Sequence, residues 1–188
     1  GISPQWWRGI PAWRRDGAVH VVSVGRLAAR KEPMALLRAL REVRADVPLR
    51  ATVAGAGPEM PVLRRYVERH GLGWVSLPGR LDRPEVGRLL AGADVFVNPA
   101  SQEAFGLAAL EARTAGVPVV ARPGTGVADF VRDGVEGLLT HDLAGAISRL
   151  ANDREERARI AAHNRATEPT HCTWPRVLAA LRSCSARV

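Results

Sequence analysis

Apolar residues along this chain keep two different periods, and the two alternate. Val19 to Val24 form a β-branched run that closes at Gly25; behind it, Met34, Leu36, Leu37, Leu40 and Val43 fall at helical spacing, with Pro33 at the helix start. That predicts a strand over 19–24 and a helix over 33–43. The unit recurs: 49–54 closes on Gly55-Ala56-Gly57 before a helix bearing Leu63, Tyr66 and Val67, and 74–77 closes on Pro78-Gly79 before a helix around 86–90. Strands follow at 94–98, 118–121 and 137–140, with a helix over 106–115, a short one over 126–132, and two more over 143–150 and 155–164.

Short apolar strands separated by amphipathic helices are βαβ units, whose right-handed crossovers build a parallel sheet covered on both faces. The expected fold is therefore α/β, a doubly wound, mostly parallel, Rossmann-like sheet over 19–168. Residues 1–18 show no period, carry Trp6, Trp7 and Trp13, and read as a linker or an arm laid over a neighbouring surface. Residues 169–188 hold a last helix, 174–182, set apart by Pro169 and Pro175. In sheets of this kind a ligand lies beyond the carboxyl ends of the strands. Those ends are Gly25-Arg26, Gly55-Ala56-Gly57, Gly79-Arg80, 99–103 and 122–126.

Composition narrows the class. With 188 residues, 46% hydrophobic and 24% charged, the chain is an ordinary globular one. No run approaches the roughly 18 apolar residues of a membrane span, and the N-terminus lacks the apolar stretch of a signal peptide, so a cytoplasmic location is expected. Cys172 and Cys184 have neither disulfide-framework nor zinc spacing and are expected as reduced thiols. The five histidines give no triad or metal spacing: His20 precedes a strand, His70 and His163 end helices, and His141 and His171 sit in loops, all as surface or capping residues.

The net charge of +8 raises a nucleic-acid reading, but the excess is local. Residues 1–50 hold ten basic against four acidic side chains, whereas 101–150 hold four against six. No nucleic-acid motif accompanies it, and no nucleic-acid partner is expected. Among all the arginines, Lys31 is the only lysine.

The most specific constellation runs from Ser101 to Ala121, where the fourth strand hands over to the fourth helix. Glu103 and Glu111 are eight positions apart, one in the loop and one on the first turns of the helix, so both can face one ligand. Between them Phe105, Gly106 and Leu107 offer free backbone N–H groups at a helix N-terminus, which suits a phosphate or another anionic oxygen. Carboxylates accept hydrogen bonds from sugar hydroxyls. The pattern describes a pocket for a polyol joined to a phosphate.

This segment resembles the signature of the retaining glycosyltransferases of the GT-B fold, group 1 (family 4), through its E-x7-E element and the Ala115-Gly116-Val117-Pro118-Val119-Val120 that follows. Other stretches are similar to the family's in the same order: Val24-Gly25-Arg26-Leu27 with Arg30-Lys31, Val53-Ala54-Gly55-Ala56-Gly57-Pro58, Asp133-Gly134-Val135-Glu136-Gly137-Leu138-Leu139, and Thr173-Trp174 before the last helix. The resemblance covers about 19–185. It implies the C-terminal, donor-binding half of such an enzyme, with Gly1-Ile2-Ser3 matching the tail of the segment between the halves.

Carried over residue by residue, the resemblance gives Arg26 and Lys31 the donor's diphosphate and the charge on the departing nucleoside diphosphate. Glu103 takes the donor sugar's hydroxyls, beside the Phe105, Gly106 and Leu107 backbone, and Glu111 the nucleotide ribose. Gly25 and Gly57 belong to the donor loops, and Gly79 with Arg80 to the turn against the base. The implied donor is a UDP- or GDP-linked sugar, with no metal and no cofactor. The implied partner is an acceptor-binding N-terminal domain, in the same enzyme or in another chain, through which peripheral membrane association would arise. The isolated half would bind a nucleotide sugar without transferring it. The base, the sugar and the acceptor stay open.

The chain departs from the family at Glu32, where a glycine is expected, and at Thr125-Gly126 and Asp129, which replace a Gly-Gly-x-x-Glu pattern. These departures carry the alternative reading, a nucleotide-binding module or pseudo-enzyme without transferase activity.

Overall fold

A computed structural model describes residues 3–10, 17–43, 45–169 and Cys172. The expected helix 174–182, Thr173-Trp174, His171 and Cys184 lie outside the described residues.

The chain opens with α1 (Pro4–Arg8), enters β1 (Val19–Val24), and reaches α2 (Pro33–Glu42) through a 3-10 turn at Ala29–Lys31. Then come β2 (Leu49–Ala54), α3 (Met60–Arg69), β3 (Val75–Gly79), α4 (Arg83–Ala91), β4 (Val95–Asn98) and α5 (Leu107–Thr114). The remainder is β5 (Val119–Ala121), a 3-10 turn at Gly126–Asp129, β6 (Gly137–Leu139), α6 (Leu143–Asn152) and α7 (Arg154–Ala166). The six strands form one sheet in the order β3-β2-β1-β4-β5-β6, every pair parallel. The order reverses between β1 and β4, which makes their carboxyl ends the switch point where a crevice must open.

Successive strand residues point to opposite faces and so supply two separate cores. Val21, Val97 and Val120 join Leu36, Leu37, Leu40, Leu63, Ile147 and Ile160 on one face, under α2, α3, α6 and α7. Val22, Phe96 and Val119 join Leu90, Ala109, Leu110 and Trp7 on the other, under α4, α5 and α1. Local signals fix where helices begin. Asp82 and Glu85 form a reciprocal capping box at α4, and the Asp142 and Asp153 carboxylates accept from Gly145 N and Glu156 N to start α6 and α7.

The glycine after β2 answers a steric demand. A Cβ on Gly57 would lie 2.1 Å from the Leu27 carbonyl oxygen, because the loops after β1 and β2 are zipped together by Leu27 N to Ala56 O and Glu59 N to Leu27 O, both 3.0 Å.

The described part of the 1–18 segment contains α1, and Trp7, 2% exposed, is buried in the second core while Ile10 covers Gly87 on α4. Five residues are too few to show a helical period. His20 is not a surface residue before a strand. It lies inside β1 at 4% exposure, its ring nitrogens 3.1 Å from Gly92 O and 2.9 Å from Thr52 Oγ1, which lets an imidazole be buried at little electrostatic cost. His163 is also more than a cap, since its Nε2 lies 3.1 Å from the Glu136 carboxylate.

Candidate functional site

The crevice at the switch point holds two adjoining cavities. The first, about 330 Å³, is lined by Gly25, Arg26 and Lys31 from the loop after β1, and by Glu103, Gly106, Leu107 and Glu111 from the β4–α5 connection. The second, about 410 Å³, shares Val24, Gly25 and Arg26 with the first and extends to Gly55, Ala56 and Arg80. Gly79, φ 88°, ends β3 at the edge of this second space, with its carbonyl taken by Gly55 N at 2.7 Å. Three of the residues singled out in the sequence do not line either cavity. Gly57 packs beneath the loops, Gly79 sits behind Arg80, and Phe105 stands exposed on the rim against Phe130, ring centroids 5.9 Å apart.

The E-x7-E spacing works because the chain turns sharply between the two carboxylates. Gly106 takes φ 80° as the residue before α5, so Glu103 stays in the loop while Glu111 rides on the helix, and both reach the same cavity. A side chain at Gly106 would meet Val127 at 2.6 Å, so the left-handed backbone and the lack of space both call for glycine. The α5 N-terminus opens onto this cavity with no side-chain cap on its first amides.

The two carboxylates differ in charge state. Glu103 Oε2 lies 2.5 Å from Lys31 Nζ, across the two loops. Burial pushes the Glu103 carboxyl up, but the Lys31 hydrogen bond and charge, the Phe105 amide and the Asn98 side chain outweigh it and hold it below its ordinary range. Among the described residues, Glu111 has no such hydrogen-bonded partner. Burial raises it to about 7, with only the Arg83 charge acting against the rise. A carboxylate kept short of partners in a polar crevice is available to ligand hydroxyls.

Several participants carried no sequence signal. Asn98, the last residue of β4, braces Glu103, and its position at a strand's carboxyl end is the only hint of that role. Arg83 faces Glu111 from the start of α4 and is stacked over Trp6, 4.9 Å from the ring centroid, so α1 helps to hold it. The departures Glu32, Thr125 and Asp129 do not line the first cavity. The Thr125 hydroxyl bonds Arg122 O at 2.9 Å, while Asp129 lines a different cavity, of about 380 Å³, with Arg113, Arg132 and Glu136. Among the described residues, no group of three or more His, Cys, Asp or Glu could hold a metal ion, and no helix is long and apolar enough to cross a membrane.

Known proteins resemble this chain in sequence and in fold. The D-inositol 3-phosphate glycosyltransferase of Paenarthrobacter aurescens is 34% identical over 162 residues, which cover 79% of this chain and 40% of that protein. The alpha-D-kanosaminyltransferase of Streptomyces kanamyceticus is 30% identical over 78% of this chain and 40% of its own length. The chain thus spans about two fifths of the length of these relatives. Among solved structures, Anabaena HepE in complex with UDP and glucose superposes with a TM-score of 0.76 at 25% identity, over 89% of this chain and 49% of that one. Sucrose-phosphate synthase from Thermosynechococcus elongatus, at 24% identity, shares the fold over 98% of this chain with a TM-score of 0.81. The family described as glycosyl transferases group 1 matches residues 12–167, a stretch that holds both cavities and every strand of the sheet. On these grounds the chain belongs to the group 1 glycosyl transferases, and its sheet is one Rossmann-like half of a GT-B fold.

Proposed function

We propose that this chain is the donor-binding half of a retaining glycosyltransferase that takes a UDP-sugar. The observation that carries the reading is the single cavity into which Lys31, Glu103, Glu111 and the α5 N-terminus all face. A nucleoside diphosphate sugar offers each of them a partner. Its diphosphate presents oxygens to Lys31 and Arg26, its ribose presents vicinal hydroxyls to Glu111, and its sugar presents hydroxyls to Glu103 beside the Gly106 and Leu107 amides. The base lies in the adjoining cavity, near Arg80. UDP is preferred over GDP because HepE, at 25–27% identity, is seen with UDP and with UDP-glucose.

In the transfer step the sugar's anomeric carbon loses the diphosphate oxygen, and negative charge grows on that oxygen. Arg26 and Lys31 are placed to stabilise the charge as it develops, which is electrostatic catalysis by preorganised cations and needs no divalent metal. Glu103 lies next to Lys31. Donor binding therefore substitutes diphosphate oxygens for part of the Glu103 contact and leaves that carboxylate to the sugar. The acceptor comes from a second domain, in the same protein or in a partner chain, so this half binds donor without transferring it. The donor reading carries with it a cytoplasmic location for the reaction. The pseudo-enzyme alternative drew on Glu32, Thr125 and Asp129, and it loses ground because none of the three lines the cavity.

Isothermal titration of this chain with UDP, GDP and ADP tests the reading. UDP is expected to bind most tightly; absence of heat with all of them at millimolar concentration would overturn it.

A further inference from the structure

One side chain ties together the loops that carry the site. Glu32 stands between the 3-10 turn at Ala29–Lys31 and α2, and it is the only non-glycine residue with a positive φ, 50°, among the described residues. Its amide donates to Ala29 O at 2.9 Å and its carbonyl accepts from Ala35 N at 3.0 Å, so it closes one helical turn and opens the next. That conformation favours glycine, the residue that the family's pattern leads one to expect here. A larger residue persists in it only where its surroundings over-determine it.

The carboxylate supplies the determination. Oε1 accepts from Ser101 N at 2.8 Å and from the Ser101 hydroxyl, while Oε2 lies 3.4 Å from Arg122 Nη2. Arg122 in turn donates from Nε to Pro99 O at 2.8 Å. Three loops at the carboxyl edge of the sheet, after β1, β4 and β5, therefore converge on Glu32. Lys31 is its neighbour in sequence, and Glu103 lies two positions beyond Ser101. Both members of the 2.5 Å Lys31–Glu103 pair hang from segments that Glu32 joins.

We propose that Glu32 is a positioning residue that fastens the β4–α5 loop to the start of α2 and thereby sets Glu103 against Lys31. It does not line the donor cavity, and it acts through the pair. The carboxylate contacts hold its backbone in the left-handed region and so keep the loop before α2 in one conformation. The consequence for donor affinity rests on the donor reading above; the consequence for the Lys31–Glu103 pair does not.

The test uses Glu32→Gly, which keeps the left-handed backbone accessible, and Glu32→Gln, which keeps an oxygen acceptor for Ser101 but not the charge opposite Arg122. Carbon-13 NMR follows the titration of the Glu103 carboxyl, assigned with Glu103→Gln. The sign discriminates. Deleting the negative charge of Glu32 with the loop still in place lowers the Glu103 midpoint, because a like charge has gone, whereas freeing the loop separates Glu103 from Lys31 and raises it. The expected result is a rise of about half a pH unit or more in Glu32→Gly and none in Glu32→Gln. A midpoint that stays or falls in Glu32→Gly overturns the proposal, and so does an equal rise in Glu32→Gln.

UDP titration is the second readout, with roughly fivefold weaker binding expected in Glu32→Gly and less than about twofold in Glu32→Gln. Unchanged UDP affinity in Glu32→Gly beside a raised Glu103 midpoint overturns the extension to the donor. If the unsubstituted chain does not bind UDP, the donor reading fails by itself, and the Glu103 titration still decides whether Glu32 positions the pair.

Discussion

Lys31 and Glu103, 72 positions apart in the chain, meet at 2.5 Å across the crevice between the loops after β1 and β4. The contact places a cation and an anion where the donor's diphosphate and sugar meet in the proposed complex. Each can exchange its internal partner for a ligand group, Lys31 for a diphosphate oxygen and Glu103 for sugar hydroxyls that donate hydrogen bonds to it. Lys31→Met removes the cation and strands the half-buried Glu103. The expected outcome is a loss of UDP binding on the order of 1.5–3 kcal/mol, the range for a charged hydrogen bond, together with a rise of the Glu103 titration midpoint. Calorimetry and NMR read the two effects, and UDP affinity that survives Lys31→Met would remove Lys31 from the site.

The two glutamates are expected to separate by ligand. Glu111→Ala removes a partner of the ribose, which UDP and UDP-glucose share, so both should weaken by roughly 1–3 kcal/mol. Glu103→Ala should leave UDP nearly unchanged while the advantage of UDP-glucose over UDP disappears. Parallel titrations of the two ligands decide it, and equal weakening of both by Glu103→Ala would make that residue structural.

Glu111 also implies a pH dependence. Burial raises its folded-state value to about 7 from 4.5, so the folded chain holds this proton when the unfolded chain has released it. The sign follows by linkage: the Glu111 contribution to stability is fully present below the unfolded value and is lost as pH rises from about 4.5 through 7. For binding, the ionised carboxylate is the better acceptor of ribose hydroxyls, so UDP-glucose affinity should increase between pH 6 and 8. The UDP-glucose diphosphate carries no group that titrates in that window. Glu111→Gln should give a flat profile, and a wild-type profile that is already flat would count against the assignment.

A second network stabilises the fold without lining the donor crevice. Glu136, 2% exposed, receives Arg132, Arg113, His163 and the Arg132 amide; burial pushes its carboxyl up, but these partners bring it down to about 2. Its contribution is present above about 4.5 and is lost as pH falls toward 2, so acid unfolding of Glu136→Gln should be shallower in that range. Glu136→Ala leaves the buried Arg113 without a counter-charge and should cost about 3–5 kcal/mol. Arg113→Met should cost less than about 1 kcal/mol or stabilise, since Arg113 Nε and Nη1 have no hydrogen-bond partner among the described residues and Glu136 keeps Arg132 and His163. Thermal unfolding of the two variants measures the asymmetry, and equal losses would refute it.

The alternation of two hydrophobic periods by itself determined the strands and helices that alternate from Val19 onward, and with them a parallel sheet whose crevice lies at the carboxyl ends. Period and handedness are local properties, so they are written in consecutive residues. The same holds for the E-x7-E spacing that brings Glu103 and Glu111 to one cavity. Only the tertiary structure decided that Glu103 is paired with Lys31 while the partial burial of Glu111 raises its carboxyl to about 7. Charge state depends on distances between segments that the sequence holds far apart. It also decided that Glu32, a departure when read along the chain, joins Ser101 and Arg122 from two other loops, and that Asp129 belongs to a different cavity. Trp7 and His20 belong to the same class. Neither has its partners near it in the chain, and each is buried because surfaces remote in sequence, α4 and α5 for Trp7 and Thr52 and Gly92 for His20, close over it.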